Sequence, residues 1–511
     1  MSEGNSSDDR RRSSVSRRRF VTAAGAAGVV AGLAGCANFV GGDSGNGADG
    51  TQTGSSGQDS TTVQWAFDPT AVQENGEDIR RALHELGGLS DDITVDLIQP
   101  AEETQARQEN ITRLLRAGEN SPDMFLMDNG WTNTFIQAGL IENLNEMVDD
   151  EILSTVDEEF FDGFTSTARN PGSGDLYGIP MFASFPAMLY RKDLVEKAGY
   201  SPEENNWATE PMTWEKWSHI TADTLDNTDV DHGWTTQWDV YEGTACCTFN
   251  EVLSSWGGAY FGGRENLFGP VGDRPVTVDS EPVIQSLNMM HRFVHGEEVG
   301  TEYNGIKINE MAGDIASTDI LGWNENPSFA PFREGNAVMH RNWPYAIALS
   351  GRDPEEAAEP ALGENLGTMP IPYAVSEEDA EFQGTGGTTS ALGGWHATVN
   401  PNSDKQDATV EVIRAMLDPE FQLELLSLQG WLPPRSELFG SDEAQNVPVM
   451  GQFMDTLQVI GENVMPRPVT AVWPDQSSAI AEQANSAVAG DMSSTNAMAS
   501  LQTTLEKIEQ S

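Results

Sequence analysis

The chain has 511 residues, enough for two full hydrophobic cores, and sets 80 Asp+Glu against 28 Lys+Arg, a formal net charge of −52. That field disfavours nucleic acid and other polyanions as partners. With Lys so scarce, it suits a halophile, archaeal in type, in whose molar salt the Debye length shrinks to about 3 Å. Single pairs of acids in such a chain read as solvated surface and not as a catalytic dyad. The seven His are scattered and the three Cys lack ligand spacing, so no metal is expected. The absence of a phosphate-binding Gly-rich loop, of Gly-x-Ser-x-Gly and of His-Glu-x-x-His leaves no cofactor or hydrolase motif either.

Taken in chain order, Ser16-Arg17-Arg18-Arg19-Phe20-Val21 reads as a twin-arginine export signal, with residues 1–35 as the signal peptide. The apolar run Val21–Ala34 makes a helix of about 21 Å, too short for a hydrocarbon core of about 30 Å. Leu33-Ala34-Gly35-Cys36 has the form of a lipobox, which makes Cys36 the lipidated residue and places the protein on the outer face of the cell membrane. Residues 36–61, rich in Gly, Ser, Thr and Asp, read as a flexible tether with a reach of about 25–30 Å.

Val63–Phe67 predicts a first strand, followed by a helix through Ile79-Arg80-Arg81-Ala82-Leu83. Ile93–Ile98 alternates as a second strand, and residues 102–118 space Ile111, Leu114 and Leu115 as a helix that also carries a glycosylation sequon at Asn110. Met124–Met127 is a buried strand ending at Asp128. This alternation predicts a parallel α/β sheet with ligand beyond the strand ends, near Asp68, Asp128 and Trp131. Cys246 and Cys247, being neighbours, are expected to pack as small apolar side chains and not to pair. Trp65, Trp214, Trp217 and Trp256 are expected in the core. Amphipathic helices are expected over Ala408–Leu417, Pro419–Leu428, Gln476–Ala489 and Asn496–Ile508.

Seven blocks in order carry a family resemblance: SPDMFLMDNGWTNTFIQAGLIENLNEMV (121–148), LYGIPMFASFPAMLYRKDLVEKAGY (176–200), PMTWEKW (211–217), NEVLSSWGGAYF (250–261), FREGNAVMHRNWPYAIAL (332–349), LGGWHATVN (392–400) and VMPRPVTAVWPDQSSAIAEQANSAVAG (464–490). They resemble the extracellular solute-binding proteins of ABC importers, most of all the trehalose/maltose binders. The resemblance implies two α/β lobes of the periplasmic-binding-protein type around a ligand cleft, with three hinge crossovers near Phe182–Pro186, Trp343–Tyr345 and Gly393–Trp395. One lobe is then 62–183 plus 345–392, the other 187–342 plus 396–511.

A neutral sugar needs polar groups for its hydroxyl rim and flat aromatics for its C–H faces. The resemblance places Arg107 and Asp128 at the rim, Trp343 and Trp395 as platforms, and Trp131, Tyr345 and Gly394 beside them. Glu242, in Tyr241-Glu242-Gly243, and Arg467 face them from the other lobe, and Trp473 is a further candidate. Phe182 and Ser184 stand where the family has Tyr and Asp, which removes a hydroxyl and a charge and points to a different sugar. The implied role is capture without catalysis: a monomeric subunit is expected to close on a mono-, di- or oligosaccharide and deliver it to the transmembrane subunits of an ABC permease. Alternatives are a secreted glycoside hydrolase, a binder of another solute such as glycerol phosphate, or a structural surface protein.

Overall fold

The computed structural model describes residues 60–511, apart from 102, 103 and 301. The export signal, Cys36 and the tether up to residue 59 lie outside the described residues, and the tether's expected end at Thr61 is corrected, since that residue already opens the first strand. Nine strands build the two main sheets: β1 (Thr61–Ala66), β2 (Ile93–Ile98), β3 (Met124–Asp128), β4 (Gly178–Ser184), β5 (Ala187–Arg191), β6 (His232–Thr235), β7 (Ala337–Asn342), β8 (Leu366–Met369) and β9 (Gly393–Val399). The first sheet runs β2-β1-β3-β9-β4 and the second β8-β5-β7-β6. In the first, β1 pairs parallel with β2 and β3, as the alternation predicts, while β9 lies antiparallel between β3 and β4.

Local chemistry accounts for the early elements. Alternating exposure along β2 matches its alternating β-branched and polar residues, and β3 is buried throughout because apolar side chains cover both its faces. Helix α1 (Pro69–Glu85) begins where Asp68 accepts hydrogen bonds from the amides of Thr70 and Ala71, both at 3.0 Å, with Pro69 in its first turn. Helix α2 (Thr104–Ala117) carries Asn110 on its exposed side. Helix α3 (Asn129–Gln137) is capped by Asp128. The four later helices fall at Gln406–Met416, Pro419–Gln429, Trp473–Ala489 and Ser494–Glu509, within a few residues of the expected ranges.

The apolar residues form separate cores, one per lobe. Val63, Trp65, Leu97, Met124 and Leu126 join Val399, Ile413, Phe421 and Leu425 in the first. The second gathers Trp214, Trp217, Trp234, Trp256 and Phe293 with Ile480, Val488, Leu501 and Leu505. Trp217 packs edge-on to Trp214 and Trp234, with centroids 5.2 and 5.1 Å away. Each such buried ring contributes roughly 4–6 kcal/mol of transfer free energy. A third cluster, with Phe185, Phe332, Leu426, Leu432 and Leu457, lies where the lobes adjoin.

Strand pairing and packing correct the expected lobe boundaries. The first crossover, between β4 and β5, stands at 184–187, and the passage into β9 stands at 391–393. No crossover occurs at Trp343–Tyr345. After β7 the chain turns into the helix Pro344–Ser350 and returns to the second sheet as β8, because Pro344 starts that helix within the junction cluster. The remaining passage runs from Trp431, in the first core, to Trp473, in the second. Residues 366–391 therefore pack with the second lobe, and 393–431 with the first.

Cys246 and Cys247 are also corrected: they are joined by a disulfide. Both are buried in the second core, as expected of small apolar side chains, but they lie in a single π-helical turn, Thr244–Thr248. That wider coil is the local departure from an α-helix in which the neighbouring sulfurs meet.

Candidate functional site

The site grows from the carboxyl end of β3. Asp128 caps α3, accepting from the amide of Gly130 at 2.7 Å, and its Oδ1 lies 3.1 Å from Nη1 of Arg467. The same Nη1 donates to Oε1 of Glu242 at 3.1 Å, and Nη2 donates to Oδ1 of Asn129 at 3.2 Å. Glu242 also accepts from Nε1 of Trp473 at 3.3 Å. Arg467 is borne by the second lobe: the Pro466 carbonyl accepts from Asn250, and the Val469 amide donates to Leu267. One guanidinium thus spans from Glu242 in the second lobe to Asp128 and Asn129 in the first. Burial opposes its charge, but the two carboxylates outweigh that and hold its pKa above the ordinary value. A Cβ at residue 130 would lie 2.5 Å from Nη1, so only glycine admits this close approach.

A second arginine sits on the first lobe. Arg107 lies 4.5 Å over the Trp395 ring and pairs with Asp68 at 3.3 Å, the residue that caps α1. Burial lowers the pKa of Arg107, and Asp68 opposes the shift. Trp131 meets Trp395 edge-on at 5.5 Å. Trp395 itself is half-buried on β9, level with Asp128 on β3 and Phe182 on β4, where a bulge between Trp395 and His396 breaks the register. His396 points to the other face, held between the hydroxyls of Thr132 at 2.8 Å and Thr167 at 3.2 Å, and burial drives its pKa down to about 3. Three buried donors around this group have no partner among the described residues: Nε of Arg107, Nε1 of Trp131 and Nε of Arg467. Each calls for an oxygen acceptor.

Other expected residues are distributed differently. Phe182 stacks on Trp431 at 4.1 Å and belongs to the first core. The hydroxyl that a Tyr would carry has no equivalent here, and the ring serves packing. Ser184 ends β4 opposite Gly393. Trp343 is half-buried, with Arg341 5.0 Å over its ring, and a Cβ on Gly393 would lie 2.8 Å from it. Tyr345 turns instead to Phe329, with centroids 5.9 Å apart. Burial, then the charge of Glu325, raises its phenol pKa. That places Tyr345 with the Tyr241–Glu325 pair and apart from Arg467.

Asn129 and Asp68 enter the site with no motif of their own; their only signal is proximity to Asp128 and to the end of β1. Gly394 has φ +143°, and a Cβ there would lie 2.8 Å from the Phe182 carbonyl oxygen and 3.2 Å from the Phe164 ring. Gly394→Ala is expected to cost about 1–3 kcal/mol and to displace the adjoining Trp395. Thermal melting in molar KCl checks this, and an unchanged midpoint would show that the strand absorbs the methyl group.

Arginine forks, carboxylates and half-buried indoles suit a polyhydroxylated solute. Residues 90–423 match the family of bacterial extracellular solute-binding proteins. The chain is 24% identical over 379 residues to a probable ABC transporter-binding protein of Deinococcus radiodurans, covering 74% of this chain and 77% of that protein. It is 22% identical over 378 residues to the maltotriose-binding protein of Pyrococcus abyssi, covering 73% and 68%. The maltose-bound MalE3 structure of T. maritima superposes with a TM-score of 0.70 at 22% identity, covering 88% of this chain and all of that one. With its two lobes and the matched span, the chain belongs to the bacterial extracellular solute-binding protein family.

Proposed function

We propose that the solute is a neutral sugar, from a monosaccharide to a short oligosaccharide, captured without chemical change by closure of the lobes. The observation that carries this reading is Arg467, shared between Asp128 on one lobe and Glu242 on the other, beside the half-buried Trp395. Both arginines of the site are already matched by carboxylates, so an anionic ligand gains little. Hydroxyl oxygens, in contrast, satisfy the unpartnered Nε–H groups of Arg107 and Arg467 and the Trp131 indole. Contacts from both lobes at once give the closed form the differential affinity that hinge closure requires.

The reading includes the surroundings of the domain. The protein is exported through the twin-arginine signal and anchored by lipid at Cys36. It works as a monomer, and the closed form docks on the permease. Among the described residues no helix is long and apolar enough to cross a membrane.

The test is tryptophan fluorescence titration in molar KCl with glucose, maltose, trehalose, sucrose, maltotriose, glycerol and sn-glycerol 3-phosphate, with product analysis of each mixture. A saturable response to an intact sugar is expected. Breakdown of a sugar would favour a hydrolase, and a response confined to sn-glycerol 3-phosphate would replace the ligand class.

A further inference from the structure

We infer that the Cys246–Cys247 disulfide is a positioning element of the cleft and makes ligand capture depend on the oxidised state of this pair. The inference rests on the sugar-binding reading for its affinity readout only. The bonded turn, Thr244–Thr248, begins two residues after Glu242, and its backbone is tied into the supports of Arg467. Asn250 donates from one Nδ2 to the carbonyls of both Cys246 and Pro466, each at 3.3 Å. Tyr260 donates to the Ala245 carbonyl at 2.8 Å and lies 6.3 Å, ring to ring, from Trp473. Trp473 in turn holds Glu242. Thr244 closes the near side of the turn on the Asp239 carbonyl at 2.6 Å. The turn thus touches both second-lobe supports of the inter-lobe guanidinium: the peptide preceding Arg467 and the indole that orients Glu242.

Both cysteines are buried, each residue 3% exposed, among close-packed apolar side chains. An external dithiol reduces the pair in two steps. Its first thiolate attacks one sulfur and expels the other cysteine as thiolate; its second thiolate then displaces the first cysteine from the mixed disulfide. The dithiol becomes a cyclic disulfide, and its two protons end on Cys246 and Cys247. Two separate thiols need more room than one bonded pair, and the surrounding core has little to give. The turn must shift, and Asn250 and Tyr260 carry the shift to Arg467 and Glu242.

The experiment uses the full chain carrying Cys36→Ser, so that Cys246 and Cys247 are its only cysteines. Thiol counting and maltose and trehalose titration in molar KCl follow treatment with dithiothreitol and then reoxidation. The expected result is two new thiols, a loss of affinity of about tenfold or more with cooperative melting retained, and recovery on reoxidation. Two thiols with unchanged affinity would overturn the inference. Hydrogen exchange over 240–250 and 464–473 separates its failure from that of the sugar reading. Faster exchange on reduction supports the positioning role whichever solute binds, and unchanged exchange refutes it. Where the buried pair resists dithiothreitol, the Cys246→Ser/Cys247→Ser variant undergoes the same two measurements with the same outcomes.

Discussion

Replacing Arg467 by Ala is expected to weaken sugar binding by about thirtyfold or more, because one side chain holds contacts on both lobes. The substitution removes two bridging hydrogen-bond donors and leaves Asp128 and Glu242 as neighbouring carboxylates without a shared counter-ion, in a chain already at −52. Their repulsion acts across the cleft and favours separation of the lobes. Arg467→Lys is expected to recover little. An ammonium is a point charge on a flexible stem, and it cannot present two parallel edges to Asn129 and to the carboxylate pair. Calorimetric titration in molar KCl measures the loss, and small-angle scattering of the same variant reports the lobe separation. Wild-type affinity in Arg467→Ala would reduce this residue to a structural tie.

The second large effect concerns stability. Glu251 and Arg341 form a fully buried pair, bidentate at 2.6 and 2.8 Å, with Arg341 also donating to Gln237 at 2.9 Å. Glu251 further accepts from the amide of Ala391 at 2.8 Å, just before the chain passes into β9. Burial raises the Glu251 pKa while Arg341 pulls it back. Glu251→Ala strands a guanidinium in the second core and frees the Ala391 amide, so a loss of about 3–5 kcal/mol is expected. Replacing both partners by Met is expected to recover a good part of that loss, since the stranded charge is then gone. Guanidinium chloride unfolding of the three chains checks the comparison. Equal losses in the single and double variants would show that the Ala391 bond, and not the ion pair, carries the effect.

These two sites differ in how far the sequence reveals them. Alternation along Ile93–Ile98 and the apolar run ending at Asp128 are local signals, and they expose the parallel start of the first sheet and the end of β3 as a site. The place of β9 between β3 and β4 depends on partners more than two hundred residues away, which no local period reports. Trp343-Pro344 resembles a crossover in sequence, yet Pro starts a helix equally well, and only the pairing of β8 with β5 decides between them. Arg467 and Asp128 are each legible as ligand candidates on opposite lobes, but not their direct pairing. Phe182 is expected at the cleft because it stands where the family has Tyr; its stacking on Trp431 is set by tertiary packing. Cys246 and Cys247 defeat the local rule: they are bonded within a π turn that their adjacency in sequence does not announce.

The insertion of β9 into the first sheet also sets an order for biosynthesis. Until Gly393–Val399 leave the ribosome, β3 and β4 have no strand between them, and the nascent first lobe exposes two unpaired edges. The second sheet, β5 to β8, is complete in sequence before that strand is made. The second sheet can therefore pair first, although its core is completed only by the helices Trp473–Ala489 and Ser494–Glu509, while the first sheet waits for a segment translated long after its other strands. A ribosome stalled before residue 393 would hold a half-built sheet open to other chains, the condition in which nascent proteins are most prone to aggregate.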